Sequence, residues 1–148
     1  MSKIITKHTK QIDLTYIIPK TKIPRNTIET SWDTPLNKAL TDKIGFTVQK
    51  DNKGNIVKID RITYETLINR KWEWIFRFDD HGGVGPIHGH FRISIKNDAA
   101  IEVNDSIKKF KNKNTCIPWV YKFFRKQYID IRRKFIKENK LKEFVDWY

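Results

Sequence analysis

One segment of the chain alternates cleanly between aromatic and mostly charged residues: Trp72-Glu73-Trp74-Ile75-Phe76-Arg77-Phe78-Asp79. Successive side chains of a β-strand point to opposite faces, so this period of two predicts a strand with one face in the core. We expect the rings of Trp72, Trp74, Phe76 and Phe78 to share that buried face.

A second alternating segment follows a glycine-rich loop. Residues 88–95 read His-Gly-His-Phe-Arg-Ile-Ser-Ile, which places Phe91, Ile93 and Ile95 on one side of a second strand. If the two strands pair antiparallel across the loop, their apolar faces coincide on the core. The opposite face then collects Arg77, Asp79, His88, His90 and Arg92.

The N-terminal part of the chain has weaker patterns. Residues 1–35 contain three prolines and many threonines, and we expect an irregular segment with one alternating strand over residues 12–18. Thr34 as a cap and Pro35 at the first helical position favour a short helix over residues 31–40.

Between these parts, turn residues predict a hairpin. Residues 46–50 and 56–60 flank Asp51-Asn52-Lys53-Gly54-Asn55, a connection typical of antiparallel strands. Residues 63–70 favour one or two helical turns, and residues 100–103 favour another short strand.

Residues 104–148 form a basic C-terminal part, with 13 lysines and arginines against five acidic residues. Pro118 marks the expected helix start, apolar residues recur at helical spacing, and a break is expected near Asn139. The basic residues between them, which are candidates for contacting phosphates, are Lys122, Arg125, Lys126, Arg132 and Arg133. We therefore predict one α+β domain over residues 1–148, in which an antiparallel sheet is packed by a basic C-terminal helix.

The composition narrows the class of partner and the compartment. A net charge of +13 over 148 residues favours nucleic acid, while anionic membranes, acidic proteins and a lysine-rich composition are the alternatives. Cys116 is the single cysteine, so an intrachain disulfide is excluded and a cytoplasmic location is favoured. No apolar run is long enough for a signal peptide or a membrane span, and no membrane partner is expected.

Residues 77–95 hold three of the four histidines and four of the six glycines, which makes them the candidate site. Gly83-Val84-Gly85 does not continue as a dinucleotide-binding motif, because His88 stands at the third glycine position. A phosphate-binding loop is also excluded, since no Gly-Lys-Ser/Thr follows. No cofactor is predicted.

His88 and His90 project to the same side of the predicted strand, roughly 6 to 7 Å apart at the backbone. This spacing suits phosphodiester cleavage, in which one imidazole removes a proton and the other protonates the leaving oxygen. Arg77 or Arg92 would neutralise the phosphate. His81 is a possible third participant.

The same histidines also suit a metal site completed by Asp79, Asp80 or His81. We prefer the metal-free alternative, because the flanking arginines would repel a cation and Asp79 can instead orient an imidazole. A merely solvated strand face is the third interpretation.

The pattern Arg-Phe-Asp-x-x-His-Gly followed by His-x-His-Phe resembles a signature of small toxin-type nuclease domains and of short domains near toxin–antitoxin loci. Its members here are Arg77, Phe78, Asp79, His81, Gly82, His88, His90 and Phe91. The resemblance implies a compact α+β domain, a ribonuclease-like centre on the sheet and often an inhibitor partner, which for this basic chain would be an acidic antitoxin protein. The favoured function is a metal-independent ribonuclease, with RNA preferred over DNA. The alternatives are a non-catalytic nucleic-acid-binding protein and a metal-dependent nuclease.

Overall fold

In the described part of the chain, residues 10–11, 26–80 and 85–141 of a computed structural model, seven strands form one antiparallel sheet. The strands are β1 (Lys10–Gln11), β2 (Ile28–Pro35), β3 (Asp42–Lys50), β4 (Ile56–Ile68), β5 (Lys71–Asp79), β6 (Ile87–Arg92) and β7 (Ala100–Lys108). A 3-10 turn at Lys113–Thr115 leads into the helix α1, Cys116–Glu138. The predicted α+β class is therefore confirmed.

Each strand from β2 to β6 lies beside the strand that follows it in sequence, so strands β2 to β7 form a meander. Short connections suffice for such antiparallel neighbours. The exception is β1, which pairs with β7 through Lys10 opposite Glu102. The predicted strands 46–50, 56–60, 72–79 and 100–103 all lie within observed strands, and the strand predicted over 88–95 ends at Arg92.

The core lies between the sheet and α1. Val120, Phe124, Ile131 and Phe135 recur every three to four residues or a multiple of that spacing, so they form one fully buried stripe. The stripe packs on aromatic residues of the central strands: the Phe124 ring lies 5.7 Å from that of Phe76. Asn139 ends the helix as predicted, and its side-chain amide donates to the carbonyl of Phe135 at 2.9 Å.

The short helix predicted over residues 31–40 is wrong, because residues 28–35 form the edge strand β2. Trp32 anchors this strand by stacking on Phe46 of β3, with ring centroids 4.7 Å apart. Pro35 ends the strand, a position where the missing N–H of proline is tolerated. The strand predicted over 12–18 lies outside the described residues.

The helical turns predicted over residues 63–70 are also wrong, because β4 runs without a break to Ile68. Pairing with both β3 and β5 overrides the local signal there. Asn69 and Arg70 then form a two-residue hairpin turn in which both have positive φ angles, 52° and 64°. This geometry matches the twist of the two flanking strands. At the other end, residues 104–108 belong to β7 and not to the helical part.

The four-ring stripe predicted for β5 is divided by a bulge. Tyr64 of β4 pairs with Phe76, but the next residue, Glu65, pairs with Trp74, so Ile75 is an extra residue in β5. A bulge of this kind reverses the facing of the residues that precede it. Phe76 and Phe78 remain in the core under α1, whereas Trp74 turns to the face of the sheet that the helix does not cover.

Candidate functional site

A row of paired residues crosses the face of the sheet that the helix does not cover. Register pairs link one residue of each strand from β2 to β7, in the order Asp33, Gly45, Thr63, Arg77, His90 and Glu102. Paired residues in an antiparallel ladder project to the same face. The structure therefore brings Arg77 and His90, which the sequence places together, to adjacent positions near the middle of this row.

Each of the two described histidines of the predicted site lies beside a carboxylate. His88 Nδ1 is 2.6 Å from Glu102 Oε1, and 18% of the His88 side chain is exposed. His90 Nδ1 is 3.6 Å from Asp79 Oδ2, and only 3% of that side chain is exposed. The Glu102 carboxylate is within hydrogen-bond distance of His88 Nδ1, so it fixes the tautomer of that imidazole and leaves Nε2 as its reactive nitrogen. The 3.6 Å between His90 and Asp79 is an ion-pair distance, too long for a hydrogen bond. Of these two imidazoles, His88 is the one that a solvent-borne substrate reaches more easily.

Asp79 also contacts Arg77, whose Nε lies 3.8 Å from the same Oδ2 atom. The Arg77 guanidinium packs over the indole of Trp74, 5.1 Å from the ring centroid. About a third of the Arg77 side chain remains exposed. Arg77 is thus held by a carboxylate and an aromatic ring while still open to a ligand.

Arg92 lies on the same face, but its guanidinium is already held by other groups of the protein. Its guanidinium lies 2.7 Å from Glu73 and 2.6 Å from Asp98, and it also donates to the backbone carbonyls of Trp74 and Ile95. The side chain is nearly completely buried. These partners use the donors that the predicted phosphate contact requires, so the geometry assigns Arg92 to holding the β6–β7 connection.

His81, the predicted third participant, lies outside the described residues. Asp80, considered as a metal ligand, is fully buried, where it accepts from the Ile59 backbone N–H at 2.9 Å and from Lys113 Nζ at 2.6 Å. Among the described residues, no group of three or more histidine, cysteine or acidic side chains is arranged to hold a metal ion.

A cavity of about 400 Å³ opens on the same face, next to the histidines. Strands β2 to β5 line it with Asp33, Arg61, Glu65, Trp74 and Arg77, and with several hydroxyl side chains between them. Its volume lies within the range of small-molecule sites. Arg77 belongs both to this cavity and to the histidine row.

Gly45 lines this cavity in the middle of β3, and its lack of a side chain lets neighbouring side chains approach the strand closely. A Cβ atom at this position would lie 2.8 Å from Glu65 Oε2, 3.1 Å from Thr63 Oγ1 and 3.3 Å from Asp33 Oδ1. Two carboxylate oxygens and the Thr63 hydroxyl, which donates to Glu65 Oε2 at 3.3 Å, therefore converge over the glycine. A glycine inside a strand is a known sign of close approach by another group, and it is the signal that the sequence analysis missed.

Burial at the edge of this cavity raises the pKa of Glu65 above its ordinary value. The nearby Lys43 ammonium and the hydrogen bond from Thr63 lower this pKa, and the Asp33 carboxylate raises it. Lys43 is itself drawn to Asp33, with 3.0 Å between Nζ and Oδ2. The carboxylate of Glu65 is kept in a setting that disfavours its charge, a common property of functional groups.

A second candidate surface is the solvent side of α1. We define the basic stripe as the exposed residues Lys122, Arg125, Lys126, Arg133 and Lys137. Their spacing places them on one side of the helix, opposite the buried stripe. Four of the predicted phosphate contacts are therefore exposed together.

Arg132, the remaining predicted phosphate contact, is wrong for that role because only 5% of its side chain is exposed. Its Nε donates to Thr66 Oγ1 at 2.9 Å and lies 3.8 Å from Asp42 Oδ1. The Tyr64 hydroxyl donates to the same carboxylate, and burial raises the pKa of Tyr64 well above its ordinary value. Arg132 therefore compensates a buried charge under the helix.

Comparisons of the chain with protein-family models, with curated proteins and with solved structures found no match. The resemblance of residues 77–91 to toxin-type nuclease domains thus stays a prediction. No helix within the described ranges is long and apolar enough to cross a membrane.

Proposed function

We propose that this protein binds nucleic acid through the basic stripe of α1, with RNA preferred over DNA. The exposed cations of the stripe carry the proposal. From Lys122 to Lys137 they extend over roughly 22 Å of helix, a length that spans several phosphates of a strand. The preference for RNA rests on the sequence resemblance in residues 77–91.

The arrangement of charge on α1 supports this proposal. The helix α1 contains seven lysines and arginines against two acidic residues, Asp130 and Glu138. Glu138 forms an ion pair with Lys134, one turn earlier in the helix, with 3.1 Å between Oε1 and Nζ. The cations of the stripe contribute to a net charge of +13, which attracts polyanions over long distances. A cytoplasmic location, where RNA is present and Cys116 stays reduced, is consistent with this proposal.

The experiment is fluorescence anisotropy with a labelled single-stranded RNA and its DNA counterpart over a series of salt concentrations. The logarithm of the binding constant should fall linearly with the logarithm of salt concentration, by about 0.7 per phosphate neutralised. The test variant replaces Lys122, Arg125, Lys126 and Arg133 with glutamine. Its salt slope should be shallower by up to about 3, with weaker binding.

The control variant removes the same charge elsewhere, by glutamine at the exposed residues Lys38, Lys53, Lys71 and Lys96. If the control weakens binding as much as the stripe variant does, net charge alone is responsible and the stripe is not the site. Binding that is absent at low salt contradicts the proposal altogether.

RNA cleavage is the second candidate, and the histidine–carboxylate pairs on the sheet favour it. His88 would act as the accessible acid or base, held by Glu102, with Arg77 on the phosphate. His90 would act from its enclosed position beside Asp79. Neither role uses a metal ion.

Incubation of labelled RNA with the protein, with and without EDTA, tests this candidate beside His88→Gln and His90→Gln. Cleavage that persists in EDTA, requires the 2′-hydroxyl and is lost in His88→Gln supports the candidate. Binding without cleavage under any condition rejects the enzyme and leaves the binding protein. Loss of activity in EDTA instead indicates a metal-dependent nuclease.

A further inference from the structure

The cavity lined by Gly45, called the Gly45 cavity below, lies on the opposite side of the sheet from the basic stripe. It is therefore a separate site. Three register rows form its floor and walls. The middle row runs from Asp33 through Gly45 and Thr63 to Arg77. The row on one side links Ser31, Thr47 and Arg61. The row on the other side links Pro35 and Lys43 to Glu65 and Trp74, of which the last two line the cavity.

The charges of this cavity favour a ligand that is close to neutral. The charged residues that line the cavity are two carboxylates, Asp33 and Glu65, and two guanidinium groups, Arg61 and Arg77. The ammonium of Lys43, in the flanking row, is paired with Asp33 at 3.0 Å. A triphosphate would require an excess of positive charge, which this lining does not provide. The ligand must instead offer hydrogen-bond donors to the carboxylates and acceptors to the guanidinium groups.

Arg61 lies near Glu65 on the same strand, whereas Arg77 lies apart from the carboxylate oxygens. The carboxylate oxygens of Glu65 and Asp33 converge over Gly45, together with the Thr63 hydroxyl, which donates to Glu65. The donors of Arg77 lie beyond Thr63 in the next strand, and its guanidinium rests on the flat indole of Trp74. A planar ligand with donors on one edge and acceptors on another matches this arrangement.

We infer that this cavity binds a guanine base. Guanine presents the N1 and N2 donors on its Watson–Crick edge, where a carboxylate accepts both, and the O6 and N7 acceptors, which arginine binds with two hydrogen bonds. Adenine lacks an N–H at N1 and an oxygen at C6, so it cannot make the same contacts. Aromatic rings and guanidinium planes are the surfaces on which proteins stack unpaired bases.

The base belongs either to a free nucleoside or to an unpaired guanosine within RNA, and both present the same two edges. In an RNA strand the cavity would supply sequence preference that the basic stripe lacks. Because the two surfaces lie on opposite sides of the sheet, glutamine substitutions in the stripe should leave guanosine binding unchanged. Failure of one proposal is therefore distinguishable from failure of the other.

The test is isothermal titration calorimetry of the full chain with guanosine, inosine, 7-deazaguanosine and adenosine. Guanosine should bind. Inosine lacks the N2 amino group and 7-deazaguanosine lacks the N7 acceptor, so each should bind about tenfold more weakly, as expected when a hydrogen bond to a charged group is lost. A nine-nucleotide uridine RNA with one central guanosine is compared with the all-uridine RNA of the same length. This comparison tests whether the cavity binds guanine within an RNA strand as well as in the free nucleoside.

Glu65→Gln should weaken guanosine binding at least tenfold, because an amide offers N–H groups to the N1 and N2 donors. Glu29→Gln is the matched control, since Glu29 is an exposed carboxylate on β2 outside the cavity. Thermal unfolding checks that both variants fold. Equal binding of guanosine and adenosine, guanosine binding that survives Glu65→Gln, or binding of neither guanosine nor the guanosine-containing strand would overturn the inference.

Discussion

The Glu65 carboxylate occupies the space that a side chain on Gly45 would take, with Oε2 only 2.8 Å from the ideal Cβ position. A residue at 45 other than glycine therefore competes with a charged group of the neighbouring strand. Both residues line the cavity, so this relationship between β3 and β4 has measurable consequences.

Gly45→Ala should displace the Glu65 carboxylate and weaken guanosine binding at least tenfold. The change in folding stability should stay within about 1 kcal/mol, because alanine is better than glycine in a strand interior while the displaced carboxylate moves at small cost. Calorimetry and thermal unfolding measure the two effects. Gly85→Ala is the control, since nothing lies within 4 Å of a Cβ there. Unchanged guanosine binding in Gly45→Ala would place the ligand elsewhere.

Arg132 and Arg133 are adjacent in sequence but should respond in opposite ways to substitution. Arg132→Met leaves the buried Asp42 carboxylate without its cation, and the free energy of unfolding should fall by about 3 to 5 kcal/mol. Arg133→Gln, at an exposed position, should change it by less than about 0.5 kcal/mol. Urea denaturation measures both values. Similar losses in the two variants would contradict the buried role of Arg132.

The pKa of Glu65, raised by burial, gives a pH dependence of stability with a definite sign. A carboxyl group with a raised pKa binds its proton more tightly in the folded chain, so the charged form costs stability at neutral pH. The groups facing it are Lys43 and Asp33 from neighbouring strands and Arg61 and Thr63 from its own.

Glu65→Gln should therefore be at least as stable as the natural chain at pH 7. The difference should shrink as the pH falls through the folded pKa of Glu65, which lies above 4.5. Urea denaturation of both chains at several pH values provides the comparison. A natural chain that is more stable than Glu65→Gln at pH 7 would show that the Lys43 and Arg61 attractions outweigh burial.

Cys116 should be unreactive in the folded protein. The side chain is buried at the start of α1, and burial raises the pKa of its thiol to about 12. The thiolate is the reactive form, and at pH 8 only a negligible fraction is ionised. A chromogenic disulfide reagent should react quickly in denaturant and at least a hundredfold more slowly without it. Fast reaction in buffer alone would show that the start of α1 opens readily.

Local periodicity predicts most of the sheet and the helix, because alternation in β5 and β6 and the apolar spacing of α1 are properties of neighbouring residues. The bulge at Ile75 cannot be predicted in this way, since it depends on which residues of β4 pair with Trp74 and Phe76. The helical turns predicted over residues 63–70 are wrong for the same reason. Their strand is decided by two partners distant in sequence.

The candidate site also has a part that local periodicity predicts and a part that depends on pairing between distant segments. The shared face of Arg77, Asp79, His88 and His90 follows from the alternation of two strands that are close in sequence. The cavity takes its lining from four strands, and no single segment contains enough of it to be recognised. Arg132 could not be separated from Arg133 by charge, because one step of about 100° around the helix decides which of them is buried.

The order of elements along the chain has a consequence for biosynthesis. The whole meander from β2 to β7 precedes α1, so the ribosome releases the aromatic face of Phe76, Phe78 and Phe91 before the helix that covers it. At roughly 5 to 20 residues per second, the 23 residues of α1 take about one to five seconds to make. Until α1 packs on the sheet, this apolar surface is uncovered, and we expect the nascent chain to be most prone to aggregate or to bind a chaperone at that stage.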